Sequence, residues 1–137
     1  VEAGNPKGVA GVDDLAGPSL LVVLCAETVP CGKGAAAVLA NAGVAVNAVS
    51  FEDKVKGVVT KVTSGEADAG IVFVTDIAAA GDAASGVEIP AAVNATSSYA
   101  LAVAAEAPNP TAADAFAAFV TSAQGQAILE AHGFGRP

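Results

Sequence analysis

The chain has 137 residues, 53% hydrophobic but only 4% aromatic, and a formal net charge of −8. That length supplies one domain with its own core, or one lobe and part of another, and the shortage of aromatics favours small-residue helices packed on a sheet. The acidic balance disfavours nucleic acid and anionic membranes as partners, yet leaves small anions open, because local amide dipoles outweigh a diffuse, screened field. No apolar run approaches the roughly 20 residues that cross a bilayer.

Val1 to Gly4 reads as the tail of a strand. With no Met and no basic, apolar leader, the chain reads as a processed product or a piece of something longer. Asn5-Pro6-Lys7-Gly8 is a turn, and Val12 to Ala16 a single helical turn ended by Gly17-Pro18. Leu20 to Leu24 is an unbroken apolar run, the mark of a strand covered on both faces. Pro30, Cys31 and Gly32 break the pattern, and from Lys33 a small-residue helix runs to a stop at Gly43. Cys31 and Gly32 therefore fall at a helix N-terminus, where unpaired N–H groups and partial positive charge suit an anion. An ordinary βα turn has the same pattern.

Cys25 and Cys31 flank this turn. In an oxidising compartment they suit a small loop disulfide. Alternatively, Cys31 is a nucleophilic thiolate acidified by the helix terminus. That second reading needs a base, and the one histidine, His132, lies far along the chain in a C-terminal helix.

Val44, Val46 and Val49 read as a second strand. Ser50 to Val55 opens a helix in which Val55, Val58, Val59 and Val62 recur at helical spacing, with Lys54, Lys56 and Lys61 toward solvent. Ser50 and Asp53 form a capping box, or Asp53 is itself the N-cap, which leaves the Val55 N–H free in the first turn. Ala69 to Val74 reads as another buried strand with Thr75-Asp76 at its exit, the edge where ligands collect in such sheets. Phe73 is a core aromatic or a ligand wall. Ile77 to Ala84 reads as a short helix, Val87 to Pro90 as an edge strand, and Tyr99 to Ala104 as a strand ended by Pro108-Asn109-Pro110. The remainder is helical, with Phe116, Phe119 and Val120 on one face. Phosphate-loop, dinucleotide and zinc spacings are all lacking, so no cofactor is expected.

Five stretches in order span nearly the whole chain: NPKG with a following DLA (Asn5 to Ala16), VPCG (Val29 to Gly32), KVKGVVTKVTSGEADAGIVFVTD (Lys54 to Asp76), YALAV (Tyr99 to Val103) and AQGQAILEAHGF (Ala123 to Phe134). Their order and spacing resemble the periplasmic molybdate-binding proteins of ABC importers. The resemblance implies a type II periplasmic-binding-protein α/β fold, with a mixed sheet flanked by helices and two lobes clamping a tetrahedral oxyanion. It implies oxyanion contacts at the main-chain amides of Cys31 and Val55 and at the aromatic position of Phe73, where many relatives carry Tyr. Thr75, two residues on and expected on the same strand face, is the candidate auxiliary donor.

On this resemblance, residues 4–98 are the second, ligand-clamping lobe and residues 99–137 a segment returning to a first lobe whose N-terminal half is missing. The faces of Phe116, Phe119 and Ile128 then lack their sheet, so self-association or a companion N-terminal fragment is expected. The implied function is capture of molybdate or tungstate, without chemistry, for an ABC permease, by an exported protein in the periplasm or attached to the cell surface. The rivals are a sulfate- or thiosulfate-binding protein, the effector-sensing domain of a transcription regulator, and a thiol hydrolase built on Cys31.

Overall fold

All four residues of strand β1, Val22–Cys25, are buried. In the computed structural model, which describes residues 1–136, β1 lies between β2 (Ser50–Glu52) and β3 (Ala69–Gly70). Both pairings are parallel, with Val23 opposite Ser50 on one side and Gly70 on the other. Parallel neighbours need crossovers. These are helix α1 (Pro30–Ala42) from β1 to β2 and α2 (Val55–Thr63) from β2 to β3, and α3 (Val74–Ala80) follows β3.

Strand alternation divides the core into two faces. Val22 and Leu24 pack with Ala35 and Val38 of α1, and with Val12 and Leu15 from the 3-10 turn at Val12–Ala16. Val23 and Cys25 pack with Val58 and Val62 of α2. Gly70 makes this second face possible, because a Cβ there would lie 2.5 Å from Val58 Cγ1 and 2.8 Å from the Val23 carbonyl oxygen. Asp68 is buried beside the same strands. Its carboxylate accepts the Leu21 N–H at 2.7 Å and faces the Lys7 ammonium at 3.5 Å, while its own N–H donates to the Leu21 carbonyl at 2.8 Å.

Several expected elements are corrected by pairing. Val44, Val46 and Ala48 pack on the core as an extended ribbon, but hydrogen bonding to β1 begins only with the Val49 N–H, 2.8 Å from the Val22 carbonyl. The second strand is therefore Ser50–Glu52, which had read as the opening of a helix. The strand expected over Ala69 to Val74 stops at Gly70, and Val74 already begins α3. Thr75 consequently lies in the first turn of a helix, and the strand-face argument for it fails. Val87 to Pro90 and Tyr99 to Ala104 form no strand, since neither pairs with a partner strand among the described residues.

The chain divides into two compact units, Val1–Ser97 and Ser98–Pro137. The second carries α4 (Pro110–Thr121) and α5 (Ala123–Ala131), divided at Ser122, whose hydroxyl accepts the Gly125 N–H. Tyr99 meets Phe134 edge to face at 5.8 Å. Phe116, Phe119 and Ile128 are exposed, at 61%, 42% and 47%. Pro137, the last residue of the expected returning segment, lies outside the described residues.

Truncating a fully enclosed side chain at the β1–α2 contact removes packing that the surroundings cannot replace. Val58→Ala is expected to cost about 2 kcal/mol in urea unfolding.

Candidate functional site

Parallel strands point their carboxyl ends the same way, so the helices that follow them start at one edge of the sheet. Cys31 is the second residue of α1, Val55 the first of α2, and Phe73 the residue before α3. The structure brings all three together: their side chains join one apolar cluster with Val23 and Val58. Cys31 and Phe73 also line a shallow hollow with Val38, Ile71, Ile89 and Ala95.

The starts of α1 and α2 are bare. Val29 precedes α1 in extended conformation with no side-chain cap, Pro30 has no N–H, and the first helical bond runs from the Lys33 N–H to the Val29 carbonyl at 3.0 Å. The N–H groups of Cys31 and Gly32 find no partner among the described residues. Before α2 the cap is Lys54, at φ −143° and ψ 141°, again with no side-chain acceptor. Only the Gly57 N–H turns back, to the Lys54 carbonyl at 2.9 Å, which leaves those of Val55 and Lys56 without partners among the described residues. Neither first turn contains Asp or Glu.

The expected caps of α2 do other work. Pairing to β1 runs through Glu52, the chain bends at Asp53, and α2 begins only at Val55 after an extended Lys54. The Ser50 hydroxyl donates to the Glu52 carboxylate at 3.0 Å and accepts from the Lys61 ammonium at 2.9 Å. Lys61 also pairs directly with Glu52 at 2.7 Å, so Lys61 is drawn partly inward rather than left to solvent. Hydrogen bonds from Lys61 and then Ser50 hold the Glu52 carboxyl below its ordinary range.

The other helix starts differ: α4 and α5 carry side-chain caps, and α3 has an acidic residue, Asp76, in its first turn. Asn109 accepts the Ala112 N–H at 3.1 Å, Ser122 accepts that of Gly125 at 3.2 Å, and the Asp76 carboxylate accepts that of Phe73 at 3.0 Å. Phe73 therefore offers a ring to the site but neither a hydroxyl nor a free N–H.

Three residues absent from the sequence-based site fix its shape. A disulfide joins Cys25 at the end of β1 to Cys31, with Cα atoms 5.7 Å apart. Between them, the Ala26 N–H donates to the Glu52 carbonyl at 2.9 Å and the Ala26 carbonyl accepts the Val29 N–H at 3.1 Å. Gly32 sits so close to this turn that a Cβ would overlap the Ala26 carbonyl. The sequence placed Gly32 at the helix start but not in close approach to Ala26; nothing local marks Ala26 or Glu52, whose roles come from strand pairing. With Cys31 sulfur bonded to Cys25, no thiolate is left there for the thiol-hydrolase reading.

The sheet edge thus offers main-chain N–H donors at two helix starts, the kind of group that binds anions elsewhere. The model of the family described as bacterial extracellular solute-binding protein matches residues 1–135, and the chain belongs to that family. Among curated relatives, the molybdate-binding protein ModA of Mycobacterium bovis and that of Mycobacterium tuberculosis are each 39% identical over 135 residues, covering 98% of this chain and 52% of theirs. The chain thus spans about half the length of these relatives. No solved structure matches it. No helix among the described residues is long and apolar enough to cross a membrane.

Two outcomes test this geometry. Gly32→Ala must push α1 off the Ala26 carbonyl and is expected to cost about 1–3 kcal/mol in chemical unfolding. A depressed folded-state pKa stabilises above the unfolded value and loses that contribution as pH falls through the folded one. The stability advantage of the wild type over Glu52→Gln, measured by urea unfolding, is therefore expected at neutral pH and to fade below about pH 4.3.

Proposed function

We propose that this chain is the ligand-clamping part of a solute-binding protein that captures a tetrahedral dianion, molybdate or tungstate, for an ABC permease. The observation that carries this reading is the contrast among helix starts: α1 and α2 lie on adjacent strands with neither a side-chain cap nor an acidic residue in the first turn, whereas α4 and α5 are capped by Asn109 and Ser122 and α3 carries Asp76 in its first turn. Four unpartnered N–H groups, of Cys31, Gly32, Val55 and Lys56, suit an oxyanion that carries no proton. Neutral donors neither compete for a proton nor need a basic partner in an acidic protein. Phe73 supplies an apolar wall.

In this reading residues 4–98 form the clamping lobe, and residues 99–137 return to a first lobe whose remaining half is a companion N-terminal segment. That segment covers Phe116, Phe119 and Ile128 and completes the oxyanion cage. Selection against sulfate or thiosulfate rests on cavity size, since sulfate presents a similar tetrahedral acceptor pattern. The relatives named as molybdate-binding support the larger oxyanions. The family description and a disulfide, which persists in oxidising compartments, support an exported protein.

Calorimetric titration of the two-lobed protein is expected to show submicromolar molybdate and tungstate binding with sulfate much weaker. Val55→Pro isolates the mechanism. Proline is tolerated at the first helical position, the extended Lys54 suits a following proline, and of the backbone donors only the Val55 N–H is deleted, with an apolar side chain kept in place. The expected loss of molybdate affinity is about 10- to 100-fold, as for a hydrogen bond to a charged group. Unchanged affinity would refute binding by the α2 amides.

A further inference from the structure

We infer that the Cys25–Cys31 disulfide is a positioning element for oxyanion binding, so that affinity depends on the redox state of this pair; the inference rests on the oxyanion reading above. The bond ties β1 to the start of α1. Cys25 of β1 and Cys31 of α1 both lie in the cluster of Val58 and Val62 on the α2-facing side, although the rest of α1, through Ala35 and Val38, packs on the opposite face. Its link thus draws the start of α1 over the edge of the sheet toward the start of α2.

Nothing else of comparable strength fixes that first turn. It has no side-chain cap, Pro30 donates no hydrogen bond, and the remaining ties are the Val29 to Ala26 and Ala26 to Glu52 backbone bonds. The second of these matters to geometry. Ala26, next to Cys25, is held to the carbonyl of Glu52, three residues before Val55. The disulfide therefore closes a short covalent and hydrogen-bonded path between the two sets of donor amides.

Opening the bond releases the Cys31 and Gly32 amides from that register while the core of the lobe persists. Chemically, a dithiol reductant exchanges with the bond: the sulfur–sulfur bond breaks, two electrons and two protons arrive at Cys25 and Cys31 as thiols, and the reductant closes to its own disulfide. Both sulfurs are buried, at 1% and 6% residue exposure, so exchange requires local opening of the turn.

The test compares molybdate affinity of the two-lobed protein in four forms: oxidised; reduced by a dithiol, with both thiols verified by alkylation and mass; Cys25→Ala/Cys31→Ala; and Val12→Ala. The last is a core change outside the site that lowers stability without touching the turn. The expected result is a tenfold or greater loss in the reduced protein and the double variant, with unchanged far-ultraviolet dichroism, and no loss in Val12→Ala. Equal affinity of oxidised and reduced protein overturns the inference while leaving the oxyanion reading intact. Absence of binding by the oxidised protein overturns both.

Discussion

The parallel pairing of β1 to two neighbours is the constraint from which the site follows. Once Val22 to Cys25 are buried on both faces, each crossover must place a helix over the sheet and return its successor strand in the same direction. The consequence is geometric rather than sequence-specific: every βα turn opens at one edge. Two of those turns end in bare helix starts, and the side chains beside all three gather into one cluster around Val23 and Val58.

Bare helix starts are a liability unless something occupies them. A capping Ser, Asp or Asn typically contributes about 1 kcal/mol, and α4 and α5 have such caps. Val29 and Lys54 forgo that contribution, and under the proposed function the amides they leave open are the ligand donors. Rigidity is restored by other means, namely the disulfide, the Gly32 contact with the Ala26 carbonyl, and the Ala26 to Glu52 bond. Stability and function are separated residue by residue: the caps are withheld, and the turn is held from behind.

Much of this was legible in the sequence. The Leu20 to Leu24 run predicted a strand covered on both faces, Pro30 and Gly43 bounded α1, and the Val58 and Val62 spacing set the buried face of α2. Cys31 and Val55 were expected at helix starts, and both lie there. What failed depended on partners. Val44 to Val49 alternates like a strand, yet only Val49 reaches β1; Tyr99 to Ala104 has strand composition, yet its side chains remain exposed. Apolar periodicity reports burial, whereas strand formation requires a neighbouring backbone at hydrogen-bonding distance. Asp53 likewise has the composition of a cap, but α2 starts at Val55 and the extended Lys54 takes the capping position instead.

The central claim is that unpaired amides at two helix starts hold the ligand, and amide chemical shifts read this most directly. Molybdate titrated into the isotopically labelled two-lobed protein is predicted to move the Cys31, Gly32, Val55 and Lys56 amide protons downfield and saturably. Those of Ala112 and Gly125, already bonded to Asn109 and Ser122, should stay in place. Saturable binding that leaves the first four resonances unmoved would contradict the account.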